Sequence, residues 1–145
     1  MIQDSATVVA KLERLGQCLA RIESKRPFSA ERLATDMDLQ DVVSVNLERA
    51  LQQCLDLSSM AVASTPVPPA SSAGATFDAL AQGGRIQPET ARRMRRATGF
   101  RNLLVHAYER VDWVAVHSFL DASIAALRHF ARELHSEQLR AAPDP

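Results

Sequence analysis

Two stretches of this chain place an apolar residue every three or four positions, and that spacing leaves little choice of fold. Val8, Leu12, Leu15, Leu19 and Ile22 form one stripe, and Trp113, Val116, Leu120, Ile124, Leu127, Ala131 and Leu134 form another. Residues so spaced stack on one face of a 3.6-residue helix, whereas a strand would alternate with a period of two. Each stripe can be buried only against another helix. Lys25, Arg26 and Pro27 close the first helix, and Asp112 stands as the N-cap of the last. No strand-like alternation and no internal repeat occurs, so the expected fold is all-α: a helical bundle with a four-helix core plus short extra helices.

The remaining elements follow from local signals. A short turn after Ser29 holds Leu33. The acids Asp36, Asp38 and Asp41 suit the N-terminus of a second long helix, which buries Val43, Leu47, Leu51, Cys54, Leu55 and Val62. Residues 64–76, STPVPPASSAGAT, are read as an internal loop without regular structure. A short helix over 77–82 stops at Gly83-Gly84, and Pro88 opens a helix reaching about residue 108. Residues 136–145 are expected to fray. The 145 residues are read as one domain. Cys18 and Cys54 fall in apolar stripes and are expected to be buried free thiols. With neither a signal peptide nor a run of about 18 apolar residues, a cytoplasmic chain without membrane association is expected.

Lysine and arginine balance aspartate and glutamate at 17 each, but the balance is uneven along the chain. Seven arginines (85, 92, 93, 95, 96, 101 and 110) face only Glu89 and Glu109 between positions 85 and 110, a local charge of +5. Such a segment attracts a polyanion. Within it, the run GFRNLLVHAY, residues 99–108, holds Arg101, Asn102, His106 and Tyr108 inside what is otherwise an apolar helix. A permanently charged guanidinium and an imidazole that titrates near neutrality are the minimum for breaking a phosphodiester without a metal. His117, His129 and His135 carry no such context and are read as structural or surface groups.

Arg101, four intervening residues, His106, one residue and Tyr108 resemble the R-x4-H-x-Y signature of the HepT-type toxins of the HEPN superfamily. The Phe77-Asp78-Ala79-Leu80 stretch, the Gly84-Arg85-Ile86 turn and residues 47–57 (LERALQQCLDL) fit that layout, from about Val8 to Leu134. The proline-rich stretch at 65–70 departs from it. The resemblance implies a metal-independent endoribonuclease, the toxin of a toxin–antitoxin pair, acting as a homodimer with both motifs on a shared cleft. It further implies a minimal nucleotidyltransferase antitoxin that transfers AMP from ATP to the motif tyrosine. On that reading Arg101 and His106 are catalytic, Asn102 positions, Tyr108 is the AMPylated residue, and no metal or cofactor belongs to the chain itself. Arg92, Arg93, Arg95 and Arg96 would hold the RNA backbone.

Helix geometry tests that reading. Five residues turn Arg101 and His106 about 140° apart, so one straight helix does not aim both at one phosphate. A long guanidinium arm helped by distortion near Gly99, or a second subunit that completes a cleft, would be needed, and the two together are expected. The expected reaction is transesterification to a 2′,3′-cyclic phosphate, with His106 as proton carrier and Arg101 stabilising the phosphorane. Two other readings compete: a non-catalytic helical subunit that presents substrate or nucleotide to a nucleotidyltransferase, and a plain dimerisation module.

Overall fold

A computed structural model describes residues 5–64, 72–105 and 110–141, with the backbone alone for residues 102, 105 and 138–141. Six helices occur among them: α1 (Ser5–Glu23), α2 (Ala30–Thr35), α3 (Met37–Ala63), α4 (Ala73–Gln82), α5 (Pro88–Val105) and α6 (Trp113–Ala141). α1 lies along α3, α5 lies between α4 and α6, and α2 bridges α6 to α3. The all-α bundle expected from the apolar spacing is present, with α1, α3, α5 and α6 as the long helices. No described helix is long and apolar enough to cross a membrane.

The stripes are buried as their spacing requires. Val8, Leu15, Leu19 and Ile22 of α1 meet Val43, Leu47 and Leu51 of α3 in one core that continues through Val116, Leu120, Leu127 and Leu134 of α6. Leu12, Leu55, Val62, Trp113 and Ala131 pack at its edge. Phe77 and Phe130 meet edge to face at 5.6 Å and tie α4 to α6. Cys18 and Cys54 are buried free thiols, and burial pushes the Cys54 thiol far above its ordinary range. His117 is structural: its Nε2 donates to the Phe28 carbonyl at 2.9 Å, holding the α1–α2 connection against α6.

Local chemistry sets most of the helix starts. Ser29, Asp36 and Asp112 accept hydrogen bonds from the backbone N–H groups of Arg32, Leu39 and Ala115 at the starts of α2, α3 and α6. α4 ends in Gly84, whose positive φ of 72° lets the Arg85 N–H return to the Leu80 carbonyl.

Two expectations need correction. Residues 73–76, read as part of a loop, form the first turn of α4, because Ser72 accepts from the Ala75 N–H and caps the helix four residues earlier. The last helix, expected to fray from residue 136, stays helical to Ala141. Its end is anchored by Glu137, whose carboxylate pairs with the buried Arg85 guanidinium at 2.8 Å. Arg85 also donates to the Ala61 carbonyl and Ser64 hydroxyl, so this arginine joins the ends of α3, α4 and α6.

α5 takes its N-terminal support from another helix. Its N-terminus is held by Glu133 of α6, which accepts from the Gln87 N–H and the Thr90 hydroxyl, each at 2.6 Å. The carboxylate also sets a negative charge against the positive end of the helix. Glu133→Ala is expected to cost about 1–3 kcal/mol in urea unfolding, from the lost charge-assisted bonds and cap. A change below about 0.5 kcal/mol would mean that water replaces the carboxylate at no cost.

On the outer surface, Lys11 of α1 pairs with Asp56 of α3 at 2.9 Å. Burial pushes the Asp56 carboxyl up, but hydrogen bonds from Lys11 and Gln52 and the Lys11 charge outweigh it and hold it below the usual carboxylate range. A carboxyl depressed in the folded state adds stability above its unfolded pKa near ~3.9 and loses it as the pH falls through the folded value. The gap in unfolding free energy between wild type and Asp56→Asn should therefore narrow from pH 7 to pH 3. A gap independent of pH would leave the carboxylate charge no part in stability.

Candidate functional site

α5 is a polar helix held by a narrow inner row. Thr90, Ala91, Met94, Ala97 and Phe100 are buried, while Arg92, Arg93, Arg95 and Arg96 are exposed. Arg101 follows Ala97 by four residues and Met94 by seven, which places it on the inner row, and it is half-buried. It therefore leaves the bundle at the inner end of α5 rather than joining the outward arginines. The Asn102 backbone continues the helix. The Asn102 side chain, and the whole of His106 and Tyr108, lie outside the described residues. Helical structure runs unbroken through Gly99 to Val105.

The arginine cluster, continuous in sequence, divides in space. Arg85 is spent in the core on Glu137. Arg95 reaches across α4, its stem against Gly74 and its guanidinium on Asp78. Arg92 and Arg93 share the Glu89 carboxylate on their own helix, at 2.8 and 3.3 Å. No ion pair to Arg96 occurs among the described residues. The helical rotation accounts for the division: Arg95 and Arg96 stand about 100° apart, so one faces α4 and the other faces the α6 side.

On that side, α5 and α6 enclose an open groove of about 970 Å³. Arg93, Arg96 and Gly99 line its α5 wall, and Phe119 and Ala122 line its α6 wall. Phe119 is 54% exposed and stands edge-on to the buried Phe100 at 6.1 Å between centroids. A side chain at Gly99 would meet no described atom within 4 Å, so packing inside the chain does not demand a glycine there. Among the described residues no three of His, Cys, Asp and Glu gather as a metal-binding set.

Sequence reasoning missed the partners of this cluster. Asp78 and Glu133 lie far along the chain from the groups they hold, and nothing in their local sequence marks them. The aromatic ring beside the arginines was missed for the same reason, since Phe119 arrives from the next helix.

Comparison with known proteins places this geometry in context. The family model described as "Ribonuclease HepT-like" matches residues 15–134. The mRNA nuclease HepT of Shewanella oneidensis is 25% identical over 111 residues, covering 76% of this chain and 83% of that protein. Among solved structures, a tri-AMPylated Shewanella oneidensis HEPN toxin in complex with its MNT antitoxin superposes with a TM-score of 0.80 at 22% identity, over 90% of this chain and 97% of that one. YutE of Bacillus subtilis, a cytosolic protein of unknown function, reaches a TM-score of 0.82 at 14% identity, over 99% and 97% of the two chains.

The open surroundings of Gly99 yield a direct test. Gly99→Ala should stabilise the chain by up to about 1 kcal/mol in urea unfolding, because alanine is the better helix former and its methyl meets open space. Destabilisation would mean that the helix needs the glycine for its own path.

Proposed function

Because the chain belongs to the HepT-like ribonuclease family, matched over residues 15–134, we propose that it is the toxin of a toxin–antitoxin pair and cuts RNA without a metal. The reading is carried by one coincidence. Arg101-x4-His106-x-Tyr108 begins at the last turns of α5, inside the matched span, where Arg101 emerges half-buried from the inner row.

In the proposed reaction, His106 takes the proton of a ribose 2′-hydroxyl, whose oxygen attacks the adjacent phosphorus. The 5′-oxygen leaves with a proton delivered by the second imidazole of a homodimer or by the same one. Arg101 bears against the phosphorane, where a fixed guanidinium is strongest because its surroundings are partly dry. Asn102 orients the phosphate. Products carry a 2′,3′-cyclic phosphate and a 5′-hydroxyl. A homodimer answers the angular separation of Arg101 and His106, since two copies offer each phosphate a guanidinium and an imidazole from different rods.

The proposed partner is a minimal nucleotidyltransferase antitoxin that uses ATP to place AMP on Tyr108. The related Shewanella toxin is described in a tri-AMPylated state and in complex with an MNT antitoxin. A phosphate on Tyr108 would compete for the Arg101 guanidinium and repel an incoming phosphodiester, silencing the site without unfolding it.

Expression of the chain alone should arrest growth and cleave RNA in the presence of EDTA. Arg101→Ala and His106→Ala should each lower the cleavage rate by about 100-fold or more while leaving the helical circular-dichroism signal intact. Cleavage that survives both substitutions, or that stops with EDTA in the wild type, would overturn the assignment. End-group analysis of the products checks the cyclic phosphate.

A further inference from the structure

Arg101 is not among the residues that line the groove between α5 and α6, and the reaction above gives the groove no role. Resting on the ribonuclease reading, we propose that it is a subsite for single-stranded RNA, in which Phe119 stacks a nucleobase and Arg96 holds an adjoining phosphate.

Three independent features meet there. First, Phe119 keeps 54% of its surface in water although the core lies close by, and Phe100 braces it edge-on at 6.1 Å. A braced, exposed ring is what a base needs to stack on, and such stacking accepts any base. Second, Arg96 lines the groove with no ion pair among the described residues, whereas Arg93 lines it already paired with Glu89, which also lines the groove. A guanidinium with no carboxylate among the described residues can take a phosphate bidentately. Third, Gly99 and Ala122 both line the groove, and a Cβ at Gly99 would meet nothing described within 4 Å. The missing bulk keeps the groove open where a base would enter.

Charge favours an RNA strand in this groove. α5 carries five arginines, opposed by Glu89 and by Asp78 from α4, and so remains strongly positive. A polyanion gains from that field.

The test uses the full chain carrying His106→Ala, so that RNA is bound and not cut, with a fluorescent unstructured RNA oligonucleotide of mixed sequence as probe. Phe119→Leu should weaken binding roughly 5- to 100-fold, and Phe119→Trp should retain it. Arg96→Gln should reduce the slope of log affinity against log salt by about 0.7. Sedimentation of each variant should match the parent. Parent-like affinity in Phe119→Leu would overturn the subsite while leaving the nuclease reading standing. A fall in the sedimenting mass of that variant would also overturn it and assign the groove to a second copy. Should the His106→Ala parent bind no RNA and the unmodified chain cut none, both readings fail together.

Discussion

The grip of α6 on α5 is the constraint on which the rest of this molecule depends. α5 is the most polar helix of the bundle, and its inner row of Thr90, Ala91, Met94, Ala97 and Phe100 is narrow. Such a helix is not secured by apolar burial alone. Glu133 supplies a cap at its start, and Arg95 clamps it to Asp78 of α4 along its length. With its rotation thus set, every other residue of the helix has an assigned direction. Arg101 lies half-buried on the inner row, Arg96 lines the groove, and Arg95 reaches α4.

That rotation makes the arginine-rich segment something other than a uniform patch. Positions 85 to 96 look like one electrostatic feature in sequence, yet one of these side chains is a core strut, one is an interhelical clamp, and two are paired on their own helix. A paired guanidinium that remains half in water still contributes to the field around the helix, but it is less available for a specific contact. The positive charge is therefore best regarded as a broad attraction for polyanions with few dedicated contacts. In the proposed scheme two arginines act directly, Arg101 at the scissile phosphate and Arg96 in the groove, and the others need only bring RNA near.

Much of the architecture was legible because it rests on short-range rules. The 3–4 spacing of Val8 to Ile22 specified α1, and Ser29, Asp36, Asp112 and Gly84 marked helix ends through hydrogen bonds spanning only a few residues. Where reading by local signal failed, the cause lay at longer range or in competing signals. Ala73 to Thr76 looked like loop beside the prolines, but Ser72 caps them and Arg95 packs on Gly74. The end of α6 looked too polar to hold, but Glu137 has a buried arginine to bind.

By itself, the sequence determined that this chain is helical, where its long helices lie, that Arg101, Asn102, His106 and Tyr108 follow one another in one short run, and which family carries that run. Those properties are periodic or contiguous, so they survive without knowledge of the fold. Only the tertiary structure decided that Arg85 belongs to the core, that Arg95 belongs to α4, that Arg101 sits on the inner row, and that Phe119 stands beside Arg93 and Arg96. Each of those depends on how one helix is turned against another, and that angle is set by contacts between residues far apart in the chain.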